Sequence, residues 1–417
     1  LEINLSMAVW QTVSGSSSAA IKSQNRTAVL FTLLQYELIS RVGLSDITGL
    51  SATTITNLVS ELMEQGIVAE EGTVKAESRR VGRPPTALRL VPDARYAVGV
   101  HIGVGRVNVA MTDLLARPVC DLSLTHAPDH PAESVLDQTI LLVDGVIAQS
   151  GVDRDRIVGV GVGASGLVNP QTGVNVFAPN LGWRDVPIRD LMAERLTLPV
   201  AVDNNVRAMA LGEALFGAGR GVRTMALVYA RIGVGAGFVV DGQLYRGSGA
   251  GAGEIGHMTM IPNGGELCRC GSTGCLETLI SEPVIVEMAR EMARQYPDGN
   301  LASCMEAGTE IECVFAAARQ GDAAAQGMLD DRALYLGIAL ANLVNVFNPE
   351  LILLGGFLAQ GTDLLLPVAE STMRQRAFAN LGDQVVLKEI SFGRQAGVIG
   401  AATLALNACF YQQPEVC

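Results

Sequence analysis

Val202-Asp203-Asn204-Asn205-Val206-Arg207-Ala208-Met209-Ala210-Leu211-Gly212-Glu213 is the stretch on which the fold and the function turn. Val200 to Asp203 reads as an apolar strand, and the polar side chains of Asp203, Asn204 and Asn205 fall at its end. The three differ in what they can do. A carboxylate at position 205 could take a proton from a substrate hydroxyl. The amide of Asn205 can donate and accept hydrogen bonds but cannot serve as that base. This one position separates an enzyme from a sensor.

On either side of this run, strands alternate with turns and helices from Tyr96 onward. Tyr96 to Ile102 and Val107 to Thr112 read as a hairpin, and Ile157 to Gly163 as an apolar strand. Thr224 to Ala230 and Gly235 to Val240 follow, then helices over Glu282 to Tyr296 and Ala323 to Phe347. Leu351 to Leu354 is a strand ending in Gly355-Gly356, and Ala396 to Asn407 a closing helix. The pattern predicts an α/β body of two lobes meeting at a cleft. The first spans 91–205 and is completed by 394–410; the second spans 206–393.

The head of the chain has a different texture. Residues 1–24, with the run Ser14 to Ser18, are expected to be a flexible arm. Val29, Leu30, Leu33 and Leu34 have helical spacing within Asn25 to Ile39. Leu44 to Leu50 is a short second helix ending at a glycine turn. Ser51 can cap a third, Ala52 to Gln65, with Ile55, Leu58, Val59 and Leu62 as its buried stripe. Ile67 to Val74 reads as a β-hairpin wing. Residues 25–90 are therefore expected to form a winged helix-turn-helix and its linker. Thr53, Thr54, Thr56 and Asn57 lie where a recognition helix meets DNA. Arg79, Arg80 and Arg83 sit in a proline-stiffened linker that can reach phosphates or a minor groove. A three-helix dimerisation module is the competing reading.

Charge and composition agree with this division. Aromatics make up 5% of the 417 residues and glycines number 46, as suits an α/β chain with many tight turns. The net charge of −12 argues against a protein that coats nucleic acid non-specifically. Residues 1–90 carry as many Lys and Arg as Asp and Glu, so the acidic excess lies in the body. A near-neutral head can still bind DNA through a local basic patch. No apolar stretch is long enough to span a bilayer, and no basic segment precedes an apolar block near the start. A cytoplasmic location is expected.

Cys120, Cys304, Cys313, Cys409 and Cys417 are scattered and are expected to be buried thiols or tail residues. Cys268, Cys270 and Cys275 are clustered, in Cys-x-Cys-x4-Cys spacing with glycines that permit a tight knuckle. His257, upstream in Gly253-Glu254-Ile255-Gly256-His257-Met258, completes a four-ligand set for a structural Zn²⁺. A closed set of four implies no metal-activated water.

Together these residues resemble the ROK proteins (repressors, open reading frames, sugar kinases). The resemblance covers nearly the whole chain. It includes the helix-turn-helix, the Gly-Arg-Pro-Pro linker, Gly161 to Pro170, Pro179-Asn180-Leu181-Gly182-Trp183, the glycine-rich run Gly233 to Gly256 and the cysteine knuckle. The Asp-Asn-Asn-Val-Arg-Ala run is shared with the family's xylose-repressor branch. The resemblance implies two actin-like, ribonuclease-H-like lobes with a sugar between them, contacted by Asn204, Asn205, Glu254, His257 and Glu277 near the Gly166 backbone. It also implies operator DNA of two-fold symmetry and a homodimer or tetramer, with no membrane partner.

Kinases of the family carry Asp-x-Gly-Gly-Thr in their first phosphate loop. Here His101-Ile102-Gly103-Val104-Gly105 stands in its place, and Ile232 replaces the usual threonine of the second loop. With Asn205, three parts of phosphoryl transfer are altered. The expectation is a sugar-sensing transcriptional repressor with no catalytic residue, taking xylose or glucose. The alternatives are an ATP-dependent sugar kinase with an accessory DNA-binding head, and a regulator that answers to a protein partner instead of a sugar.

Overall fold

The Ser17 hydroxyl accepts the Ala20 amide at 3.1 Å and so starts the first helix, α1 (Ser18–Tyr36). This computed structural model describes residues 17–73, 85–127, 130–307 and 310–412. The helix begins at Ser18, inside the segment expected to be a flexible arm, because that serine cap precedes the apolar stripe. Strand β1 (Ile39–Ser40) leads into α2 (Arg41–Thr48), which stops at Gly49 with φ +70. Ser51 then caps α3 (Ala52–Glu64) by accepting the Thr54 amide at 3.1 Å. Ile55, Leu58, Val59 and Leu62 form the buried stripe of α3, as their spacing predicts.

The wing departs from expectation. Strand β2 (Val68–Thr73) does not fold back on itself; it pairs with β3 (Thr86–Leu90), which also pairs with β1. Ala87, Leu88 and Leu90 are buried, so a segment that follows two prolines is drawn into the sheet by its apolar side chains. Arg79, Arg80 and Arg83 lie outside the described residues. By its contacts the chain divides at Val91, with Pro92 to Phe410 forming the body.

The body's first lobe is built on β4 (Tyr96–Gly103), β5 (Arg106–Asp113), β6 (Pro118–Thr125), α4 (Ala132–Ser150) and β7 (Ile157–Ala164). Three short strands, β8 (Leu167–Asn169), β9 (Val174–Ala178) and β10 (Trp183–Pro187), form a separate sheet. Helix α5 (Ile188–Leu196) then precedes β11 (Val200–Asn204). The main sheet runs β11-β7-β4-β5-β6, with β11, β7 and β4 parallel. Asn204 lies in register with Ala164, so β11 and β7 end side by side.

Helix α6 (Asn205–Phe216) opens the second lobe, followed by β12 (Thr224–Ala230), β13 (Val234–Val240) and β14 (Gln243–Tyr245). Next come α7 (Glu277–Ile280), α8 (Glu282–Gln295), α9 (Asn300–Ala307), α10 (Ile311–Arg319) and α11 (Ala323–Phe347). The lobe is completed by β15 (Leu351–Gly356), α12 (Phe357–Gln360), α13 (Thr362–Arg376), α14 (Leu381–Gln384) and β16 (Val386–Glu389). Its sheet runs β14-β13-β12-β15-β16. The final helix, α15 (Ala396–Leu406), is wholly buried and lies against β4 and β7 of the first lobe, as expected. Gly161 allows that approach: a Cβ there would stand 1.8 Å from the Ala401 carbonyl oxygen.

Each lobe has its own apolar core, which leaves the polar strand ends for the cleft. The cysteine expectation fails in two places. Cys304 on α9 and Cys313 on α10 are joined as a disulfide, with Cα atoms 5.5 Å apart, instead of standing as separate buried thiols, and Cys409 is disulfide-bonded as well. The packing of α9 against α10 brings together residues that look unrelated in the sequence.

Candidate functional site

At the junction of the lobes a cavity is lined by strand ends and glycine-rich turns. Gly166, Asn204, Asn205, Glu254, His257 and Glu277, the six residues expected to meet a sugar, all line it. So do His101, Ser165, Asn180, Tyr229, Arg231 and Ile232.

Asn204 is the cap of α6. Its Oδ1 accepts the amides of Val206 at 2.9 Å and Arg207 at 3.2 Å, while Nδ2 donates to the Gly166 carbonyl at 2.9 Å. One amide hydrogen is left for a ligand. The carboxamide of Asn205 donates to Ser165 Oγ at 3.2 Å and accepts the Val206 amide at 2.8 Å. Gly166 itself has φ +95, and a Cβ there would lie 2.5 Å from the Phe177 carbonyl oxygen. The turn thus presents backbone to the cavity where a side chain would not fit.

Opposite, Glu254 leads into the single turn Ile255–His257. Burial raises the Glu254 carboxyl above its ordinary value; His257 and Arg207 oppose the rise, and Glu277 adds to it. Glu277 Oε2 accepts the Val234 amide at 2.9 Å, which fixes that carboxylate to the turn between β12 and β13. Two carboxylates, an imidazole and two carboxamides around an otherwise glycine-lined hollow form a donor and acceptor set suited to a polyhydroxylated ligand.

His257, Cys268, Cys270 and Cys275 converge, with one ligand atom of each lying within 4.8 Å of all the others. Cys268 Sγ is 3.7 Å from His257 Nδ1, and the Cys270 and Cys275 sulfurs are 3.8 Å apart. A tetrahedron with Zn–S bonds of about 2.3 Å has edges of nearly that length, so the donor set fits Zn²⁺. Burial, together with the neighbouring thiols, pushes Cys275 up to about 12. Three thiols this close ionise together only around a cation. The metal would take His257 by Nδ1, the ring nitrogen beside Cys268.

His101 Nε2 is buried with no hydrogen-bonding partner among the described residues. Burial, with help from Arg231, lowers the imidazole to about 4, so it is neutral at pH 7. Sequence reasoning missed Asn180, which lines the cavity and accepts a hydrogen bond from Arg269 of the knuckle at 3.0 Å. Its signal was present in Pro179-Asn180-Leu181-Gly182-Trp183. On the head, Thr53, Thr56 and Asn57 are exposed along the start of α3, and Thr54 is half-buried. Thr56 Oγ1 is tied to the Ala52 carbonyl at 2.8 Å.

The ROK family profile matches residues 97–408. The xylose repressor of Caldicellulosiruptor bescii is 29% identical, over 93% of this chain and 96% of its own length. The glucokinase of Halalkalibacterium halodurans is 35% identical, over 74% of this chain and 94% of its own length. The crystal structure of a ROK family transcriptional regulator, a homologue of the E. coli MLC protein, superposes with a TM-score of 0.80 at 29% identity. It covers 93% of this chain and 96% of that one.

Proposed function

Because the chain belongs to the ROK family, we propose that it is a DNA-binding transcriptional repressor that senses a monosaccharide, xylose or glucose, in the cleft and does not phosphorylate it. The observation that carries this reading is Asn205. This cavity-lining residue is a carboxamide bonded to Ser165, in a chain that also carries a capped helix-turn-helix. The extent of the matches supports it. The repressor and regulator relatives align over 93% of the chain, whereas the glucokinase aligns over 74%.

In this reading Asn204, Asn205, Glu254, His257 and Glu277 hydrogen-bond the sugar hydroxyls, with Gly166 presenting its backbone. Structural Zn²⁺ on His257, Cys268, Cys270 and Cys275 orients the His257 ring. Thr53, Thr54, Thr56 and Asn57 meet the operator, and Arg79, Arg80 and Arg83 meet its phosphates. The protein acts as a homodimer or tetramer on a two-fold operator in the cytoplasm. The sugar shifts operator affinity only by its differential affinity for the two protein states.

Calorimetric titration with xylose, glucose and N-acetylglucosamine tests the sensor, with binding of at least one sugar expected. The absence of heat from all three would overturn it in favour of a protein partner. A coupled assay with ATP, Mg²⁺ and the same sugars should stay at background. Turnover well above it would establish the kinase reading, which the glucokinase relatives favour.

A further inference from the structure

Behind the cleft, outside its lining, lies a charged cluster. Asp203 and Arg207 are each 1% exposed. Arg207 Nε donates to Asp203 Oδ1 at 2.7 Å, Nη1 to the Ala250 carbonyl at 2.6 Å and Nη2 to the Val168 carbonyl at 2.9 Å. Arg246 Nε donates to the other carboxylate oxygen, Asp203 Oδ2, at 2.8 Å. All three nitrogens of a fully buried guanidinium are therefore engaged, on three separate segments.

Those segments are the ones that carry the cavity's polar groups. Val168 follows the Gly166 turn, Asp203 precedes Asn204 and Asn205, and Ala250 belongs to the loop running from Arg246 to Glu254. That loop is held at three further points. The Ala252 amide returns to the Arg246 carbonyl at 3.2 Å, and Gly253 O accepts the Ala236 amide at 2.7 Å. A Cβ on Gly253 would stand 1.9 Å from the Ala236 carbonyl oxygen. The third is the Arg246–Asp203 bond itself. At the middle of the loop, the Arg207–Ala250 bond joins it through one guanidinium to Val168 and Asp203 of the first lobe.

We propose that Arg207, oriented by Asp203 and Arg246, is a positioning residue that pins loop 246–254 to the strand end and so sets Glu254 in place against Asn205 for one ligand. The link to a sugar rests on the reading under Proposed function. Lysine has one nitrogen and cannot reach three acceptors on different segments, so Arg207→Lys removes the clamp while keeping the charge. Arg246 contributes one bond from a partly exposed side chain, and Arg246→Lys can keep it.

The first measurement needs no ligand. Hydrogen–deuterium exchange on the full chain should show faster exchange of amides in 246–254 for Arg207→Lys, with the β4 and β7 amides unchanged; unchanged exchange in the loop overturns the proposal. Calorimetry with whichever sugar the wild type binds is the second. Arg207→Lys should weaken affinity about tenfold or more, since hydrogen bonds of a charged donor are lost, and Arg246→Lys should stay near wild type. In a Glu254→Gln background Arg207→Lys should cost less than about threefold, because residues acting through one another are not additive. Equal cost in both backgrounds would make Arg207 merely structural and overturn the proposal. If the wild type binds none of the sugars, the sensor reading fails and the exchange data alone decide the clamp. Should Arg207→Lys not fold, Arg246→Met takes its place with the same pattern expected in the loop.

Discussion

Asn205 forms bonds that a carboxylate would form differently: its amide nitrogen donates to Ser165 Oγ while its oxygen accepts the Val206 amide. In the proposed reading Asn205→Asp would supply a base but not the other parts of phosphoryl transfer, because His101 and Ile232 stand at the two positions expected to be phosphate loops. The variant is expected to show no ATP-dependent sugar phosphorylation above background in a coupled assay. A rate within a few powers of ten of an ordinary kinase would show that the amide alone had silenced the enzyme. His101 makes a separate prediction. Its value falls from 6.5 to about 4 on folding, so the unfolded chain binds the proton more tightly. The stabilisation is complete above pH 6.5 and is lost as pH falls towards 4. Between pH 7 and 4.5 the wild type should lose roughly 2 kcal/mol more stability than His101→Asn. Urea unfolding at the two pH values measures this, and equal losses would mean that the ring is not buried neutral.

At the scale of elements, the knuckle is the test of how a loop can serve the cleft. Arg269 reaches Asn180 across the cavity edge, and His257 belongs to both the metal set and the cavity lining. Cys270→Ala is expected to release the metal, read by elemental analysis, and to weaken sugar binding about tenfold or more, as removing a ligand-orienting partner does. A variant with no zinc and full sugar affinity would disconnect the knuckle from the sensor. Elements whose apolar period is plain were legible in the sequence: α3 with its Ser51 cap, β12, and α11 over Ala323–Phe347. The six expected residues that line the cavity were legible because short-range motifs carry them. What the sequence hid depends on pairing at a distance. Strand β3 follows two prolines and joins β2 and β1 by tertiary burial of Ala87, Leu88 and Leu90. Strands β8 to β10 are too short to show a period, and Cys304 meets Cys313 only once α9 and α10 pack. Arg207 was visible as a letter, but its three acceptors lie on segments far apart in the chain.

For the whole molecule, charge decides how the head can hold DNA. Its described cations are tied to carboxylates: Lys22 to Glu61 at 2.6 Å, Arg41 to Glu70 at 2.8 Å, and Arg89 to Glu71. Arg26 also has a partner. Glu70 and Glu71 lie on β2, so the wing carries the acid that neutralises Arg41 and Arg89. Exposed pairs of this kind are worth little to stability, yet each removes a cation from the set able to displace counterions from a phosphate backbone. The acidic body, which holds the entire net charge of −12, repels DNA at long range. In the proposed reading, electrostatic attraction to the operator would then fall to Arg79, Arg80 and Arg83, and the hydroxyls and amide at the start of α3 would supply base contacts without charge. Replacing Arg79, Arg80 and Arg83 together with glutamine should flatten the slope of log affinity against log salt by about 2 to 3, since each phosphate that an arginine neutralises adds about 0.9 to it. Fluorescence anisotropy on an operator duplex over a range of salt concentrations reads the slope directly. An unchanged slope would mean that the paired cations of the head open their ion pairs to reach phosphates, and that the linker arginines touch none.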